Sequence, residues 1–197
     1  MRLRILQYGS PILRAKGRRV EKIDTGIREL AANMIETMRA ANGVGLAAQQ
    51  VGEALQLTVV DVSQVEDRPS TLKLNGREVD PKTSSPLILV NPELTLGREI
   101  SVGLEGCLSF PEITGDIERA EAVHGRATTL DNEPIEFEAT GLLARALQHE
   151  VDHLNGILFI DRMNSAAKVA LASRLKRMQK ETERGLRQRR LEPETAL

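Results

Sequence analysis

Two histidines four residues apart enclose a glutamate in His149-Glu150-Val151-Asp152-His153. On a helix this spacing sets His149 and His153 side by side on one face. Two imidazoles so placed can share one metal ion, and the adjacent Glu150 carboxylate can take up and return protons. The chemistry indicated is metal-dependent hydrolysis, with His149 and His153 as ligands and Glu150 as general base. The same spacing also arises by chance on surface helices, so it needs support from elsewhere in the chain. Three histidines are present in all. The third, His124, falls in a predicted strand without ligand-type neighbours and reads as an ordinary exposed or half-buried side chain.

Two imidazoles leave a catalytic metal in need of one more protein ligand and an open position for water. Carboxylate, histidine and cysteine are the candidate types. The single cysteine, Cys107, lies in Gly103-Leu104-Glu105-Gly106-Cys107-Leu108-Ser109 beside a glycine that allows close backbone approach. Its competing reading is a small buried hydrophobe. A second glycine-rich stretch, Gly43 to Gly52, follows a helix and lacks the G-K-[ST] ending of a phosphate loop. It suggests backbone lying close to a ligand, with Gln49 or Gln50 donating a hydrogen bond, or else a plain helix end and loop.

These residues need elements to hold them. Asp24 and Thr25 can cap a helix carrying Ile27, Leu30, Ala31, Met34, Ile35 and Met38 at three- and four-residue spacing, and Asn42-Gly43 stops it. Residues 57–62 and 87–90 read as short buried strands. Residues 121–130 and 135–139 read as two strands joined at Asp131-Asn132-Glu133-Pro134. Thr140 is expected to cap the His-bearing helix, about 141–154, with Asn155-Gly156 ending it. Residues 63–85 form a long loop or a small hairpin insertion. A last helix starts near Ser165 and runs into a basic tail. Strands next to strands, with helices at either end, predict a single α+β domain.

Composition narrows the function. At 197 residues one well-buried domain is expected. A net charge of −1 argues against a protein that coats nucleic acid, and no Trp, one Tyr and three Phe argue against a base-stacking platform. One cysteine allows no intrachain disulfide, which suits a reducing compartment. Residues 1–8 lack the apolar core of a signal peptide, and no apolar run reaches transmembrane length. A soluble, cytoplasmic protein is expected.

Three segments, G-V-G-L-A-A-Q-Q (43–50), E-G-C-L-S (105–109) and Q-H-E-V-D-H (148–153), resemble the three signature motifs of the peptide deformylases, in family order and at compatible spacing. The resemblance covers roughly residues 3–163. It implies an α+β fold with antiparallel strands packed around a central metal-binding helix. It implies removal of the N-formyl group from the initiator methionine of nascent proteins. Cys107, His149 and His153 are then the metal ligands. Hydroxide held by the metal attacks the formyl carbon, with Glu150 as general acid and base. Gln50 donates its amide, and Leu108 its backbone N–H, to the oxyanion. Val44, Gly45 and Gly106 pair with the peptide backbone, as an added strand does. The implied metal is one divalent ion, Fe²⁺ in the family, with Ni²⁺, Co²⁺ or Zn²⁺ able to occupy the site.

The chain departs from the family pattern at one point. Many relatives carry an arginine a few residues after E-G-C-L-S, whereas here none occurs before Arg119. Arg145 instead lies four residues before His149, and is expected at the rim of a methionine pocket made with Leu142 and Ala146. Asp152 is expected to orient a neighbour, pairing with Arg119 or forming a surface helix pair. Glu105 is expected in a similar support role. Residues 1–163 form the expected catalytic domain, and 164–197 a C-terminal helix and basic tail. Residues 164–190 hold nine Lys/Arg against two Asp/Glu. That segment is either a ribosome-docking element or a solvated helix with Val169, Ala170, Leu171, Leu175 and Met178 partly packed. Two competing functions are a metallopeptidase, which needs neither the cysteine nor the first motif, and a non-enzymatic ribosome-associated module.

Overall fold

A computed structural model describes residues 1–191, with side chains through 188. The tail beyond 191 lies outside the described residues. Helix α1 spans Thr25–Ala40, and Asp24 caps it by accepting the Ile27 N–H at 3.1 Å. Its apolar face seats Ala31, Met34 and Met38 against the short strands β1 (Gly45–Ala47) and β2 (Leu57–Val60). The 3₁₀ turn Ala48–Val51 lies between these strands.

Residues 63–85 form the hairpin of the two options left open by the sequence. Strands β3 (Ser70–Leu74) and β4 (Arg77–Val79) turn at Asn75-Gly76. Strands β5 (Leu87–Leu96), β8 (Ala122–Thr128) and β9 (Pro134–Thr140) complete a seven-stranded antiparallel sheet in the order β1-β2-β5-β8-β9-β3-β4. β5 continues six residues past its expected end. It does so through a register shift between Val90 and Glu93, where Asn91 has φ +52°. His124 is exposed on β8.

A second sheet pairs β6 (Ile100–Gly106) with β7 (Thr114–Ala120). Sequence periodicity did not announce this hairpin. β6 alternates strictly, but its apolar residues Ile100, Val102 and Leu104 face solvent, while Ser101, Gly103 and Glu105 face inward. A strand whose polar face is the buried one inverts the usual reading.

Helix α2 (Gly141–Leu154) runs beneath both sheets, with twelve of its fourteen residues buried. A helix so enclosed needs partners for its polar side chains, so its His, Glu, Asp, Gln and Arg must find them inside the protein. Leu142, Leu143, Ala146 and Leu147 pack on Val60, Leu72, Leu89, Val123 and Phe137 of the large sheet. Thr140 is the N-cap residue but makes no side-chain cap bond, because its hydroxyl pairs with Thr71 at 2.6 Å. The Leu143 N–H donates instead to Ser70 Oγ at 3.0 Å, so the hairpin caps the helix in place of Thr140.

A third core joins Leu13, Phe110, Ile113, Ile117, Leu158 and Phe159. Helix α3 (Phe159–Arg162) belongs to it, and helix α4 (Ser165–Leu191) lays Ala167, Leu171, Leu175 and Met178 on it. Val169 and Ala170 were expected to pack here but are exposed, Val169 at 76%, since they lie off the helix face that carries Ala167, Leu171 and Leu175. No helix among the described residues is long and apolar enough to cross a membrane. Leu147 is fully buried between α2 and the sheet. Leu147→Ala should lower unfolding free energy by about 2–5 kcal/mol, and chemical denaturation followed by circular dichroism measures it. A loss below about 0.5 kcal/mol would contradict this packing.

Candidate active site

Helix α2 brings His149 and His153 together, with ring centroids 5.1 Å apart. The end of β6 delivers Cys107 to the same place. Candidate ligand atoms of Cys107, His149 and His153 all lie within 4.8 Å of one another, the one such group found among the described residues. His153 Nε2 is 3.2 Å from Cys107 Sγ. His149 Nδ1 is taken by Glu105 Oε2 at 2.9 Å, which leaves the other ring nitrogen for a metal. The donor set of one sulfur and two imidazoles, at this separation, fits a divalent transition ion.

Glu105 is the hub beneath the ligands. It accepts from Arg119 Nε and Nη2 at 2.9 and 3.0 Å, and from Arg145 Nη1 at 2.9 Å. Arg119 in turn bonds Asp152, which Arg162 also grips from the surface. The pairing of Asp152 with Arg119 is thus internal, both side chains being nearly inaccessible. Burial opposes the charge on Glu105, but its bond to His149 and the bonds and charge of Arg119 outweigh this and hold its carboxyl at about 2.

Arg145 differs from its expected place at the pocket rim. It is only 7% exposed, and beyond Glu105 it donates to the carbonyls of Ile117 at 2.9 Å and Ser101 at 3.0 Å. Five acceptors on the β6–β7 hairpin, Glu105, Ser101 Oγ and the Gly103 carbonyl among them, draw the guanidinium inward. Gly103 leaves room for it, since a Cβ there would lie 2.9 Å from Arg145 Cζ.

Above the metal-ligand group lies a cavity of about 470 Å³. Its wall includes Val44, Gly45 and Gln50 on one side, Gly106, Cys107 and Leu108 on the other, and Leu142, Arg145, Ala146, His149 and Glu150 along α2. His153 does not line it and joins through Cys107. Gln50 Oε1 accepts the Ala47 N–H at 2.8 Å. Its Nε2 is thereby turned toward Ser109 Oγ at 3.2 Å and Cys107 Sγ at 3.5 Å. Gln49 points the other way, to the Leu154 carbonyl at 3.3 Å.

Glu150 is 4% exposed, and its Oε2 has no hydrogen-bond partner among the described residues. Burial pushes its carboxyl up to about 7, and the charges of Glu105 and Asp152 push the same way. The lowering by His149 and Arg119 does not overcome this. Burial drives His153 well below an ordinary histidine, aided by the charges of His149 and Arg119. Burial also opposes charge on His149, yet the Cys107 sulfur and Glu105 raise it well above the ordinary value. Gly45 carries no side chain, and a Cβ there would overlap the Glu150 carboxylate. The sequence did not reveal Ser109 beneath Gln50, Arg162 on Asp152, or Leu104 and Arg68 on the cavity wall.

Known proteins share this sequence pattern and this fold. The sequence profile described as polypeptide deformylase matches residues 2–169. A peptide deformylase of Opitutus terrae is 45% identical over 184 residues, covering 92% of this chain and 95% of its own. The crystal structure of peptide deformylase from Thermotoga maritima superposes with a TM-score of 0.71 at 38% identity, over 83% of this chain and 99% of that one. Peptide deformylase 1B of Arabidopsis thaliana, solved with an inhibitor, gives a TM-score of 0.80 at 32% identity, over 93% of each chain. With a profile spanning most of its length and relatives this similar, the chain belongs to the polypeptide deformylase family.

Proposed function

We propose that this site hydrolyses the formyl amide at the N-terminal methionine of nascent polypeptides and releases formate. The observation that carries it is Glu150, a buried carboxylate on the cavity wall with one oxygen unpartnered, beside the Cys107–His149–His153 group. Those three residues would hold one divalent ion, Fe²⁺ by family and by the softness of the sulfur ligand. When bound, the ion makes a water acidic and draws electron density from the formyl oxygen.

The chain's own groups do the rest. Glu150 takes the proton of the attacking water and returns it to the leaving amine. Gln50, its amide fixed by the Ala47 N–H, turns donor hydrogens toward the site where charge grows, and the Leu108 N–H is the second donor. Val44, Gly45 and Gly106 hold the peptide backbone, and Leu142 and Ala146 receive the methionine side chain beside Arg145. A formyl carbon bears only hydrogen, so the tight wall at Gly45 and Glu150 admits it and excludes larger acyl groups. Residues 1–163 carry this chemistry. The basic segment 164–197 would recruit the enzyme to ribosomes in the cytoplasm. Its exposed Arg184 and Arg187 support that role, while the side chains of Arg189 and Arg190 lie outside those described.

The first test compares a formyl-Met peptide with its acetyl and internal-peptide counterparts, and formate should appear only from the first. Glu150→Gln should keep the metal and lose about 100- to 10,000-fold in kcat. In the parent enzyme kcat/KM should rise with pH as Glu150 ionises, because only the carboxylate accepts a proton. Burial places that limb at about 7 in the protein alone, and the cation's charge moves it lower. A profile with no acid limb at any pH where the fold and the metal persist, or metal lost along with Glu150, would remove Glu150 from this role.

Cys107→Ser should lose most metal affinity, since a serine hydroxyl is a harder and far less acidic ligand. Metal analysis after anaerobic purification reads the result, and full occupancy would make Cys107 a packing residue. Reversing the charges of Arg184, Arg187 and Arg190 should weaken ribosome cosedimentation in a salt-dependent way, while a short free peptide is hydrolysed as before. Equal cosedimentation of variant and parent would reject recruitment through this segment.

A further inference from the structure

Four of the seven large apolar side chains that stand exposed among the described residues fall between 96 and 104: Leu96, Ile100, Val102 and Leu104. The last three are 57%, 64% and 60% exposed and share the outward face of β6. Opposite them on β7 stand Glu118, paired with Val102, and Asp116, paired with Leu104. An apolar row therefore runs beside an acidic row. Neither acid makes an ion pair among the described residues. Among the described residues β6 pairs only with β7, so its other edge offers backbone groups unpaired by any strand there.

This face continues the active site. Leu104 lines the catalytic cavity, and Val102 and Gly103 line a neighbouring one of about 640 Å³. The two cavities share Arg68, Leu142 and Arg145. Glu99, Glu121 and Asp67 edge the second cavity. A polypeptide with its N-terminus at the metal ligands must leave the cavity somewhere. β6 leads from Gly106, beside Cys107, outward to Ile100.

We propose that the outward face of β6 is an exit track for the substrate chain, selecting apolar and basic residues downstream of the formyl-methionine. The proposal rests on the deformylase reading of the site. The occupant is the substrate's own continuation, laid along the free edge of β6 as an added strand. At about 3.3 Å per residue, a strand with its first residue at Gly106 passes Ile100 at about its seventh. Its alternate side chains meet Leu104, Val102 and Ile100, and Lys or Arg among them reaches Asp116 and Glu118.

The test uses the full-length, metal-loaded enzyme and three probes: formyl-Met-Ala-Ser, a formyl nonapeptide with Leu and Lys after the third residue, and one with Ser and Glu there. The Leu/Lys nonapeptide should exceed the tripeptide in kcat/KM by about fivefold, the worth of roughly one partly buried apolar side chain. The Ser/Glu peptide should show no gain. In Ile100→Ser/Val102→Ser the ratio of long to short should fall to near one. In Asp116→Lys/Glu118→Lys the preference should move toward the Glu-bearing peptide, and the shift should shrink as salt rises. All these side chains are exposed, and equal thermal midpoints check that the fold persists. Equal kcat/KM for all three peptides, or a gain that survives both double variants, overturns the track. The latter would mean that the chain leaves past Asn42 and Glu112, which also line the catalytic cavity. Failure to turn over even the tripeptide would count against the deformylase reading alone. Anisotropy of a labelled Met-Leu/Lys nonapeptide on parent and Ile100→Ser/Val102→Ser then decides the track, with equal affinity overturning it.

Discussion

A carboxylate buried among cations holds this site together. Glu105 meets Arg119, Arg145 and the metal-side imidazole of His149, and Arg119 passes the connection to Asp152. Two carboxylates and two guanidiniums balance, so the interior beneath the ligands carries little net charge of its own. Taking such ions out of water costs several kcal/mol each, and only a complete set of partners offsets it. Losing one member would strand the others, so the network fixes β6, β7 and α2 relative to one another. Ligand geometry follows from that fixation. The ring of His149 cannot turn while Glu105 holds its Nδ1.

Much of the site was legible in the sequence because helical spacing is a short-range property. The four-residue step from His149 to His153 needs only a helix, and the bounds of α2 follow from Thr140, Asn155 and Gly156. The first helix and the inner strands were readable for the same reason, since their apolar residues face a core. Cys107 and Gln50 were placed by resemblance, because no spacing rule links them to histidines 42 residues or more away.

The parts that escaped share one cause. β6 buries its polar residues and exposes its apolar ones, the reverse of what a core-facing strand does. Arg145 looked like a solvent-seeking side chain because the acceptors that draw it inward lie on that unrecognised hairpin. The cap of α2 comes from Ser70, 73 residues before the Leu143 N–H that it accepts, on the inserted hairpin. Each depends on a partner distant in sequence, which local pattern does not reveal.

The separation of the ligands along the chain has a consequence for how the ion and the fold are linked. Cys107 directly follows β6, whereas both histidines come from α2, and Arg119 of the hairpin that orients them meets Asp152, which Arg162 beyond that helix also grips. A chain lacking its last third holds one sulfur and no imidazole of the set. An ion held by these three residues would therefore bind the finished fold far better than any partial one, and mass action would make it a stabiliser of that state alone, by about RT ln(1 + [ion]/Kd). Occupancy of the site would thus be a thermodynamic record that the two halves of the molecule have met.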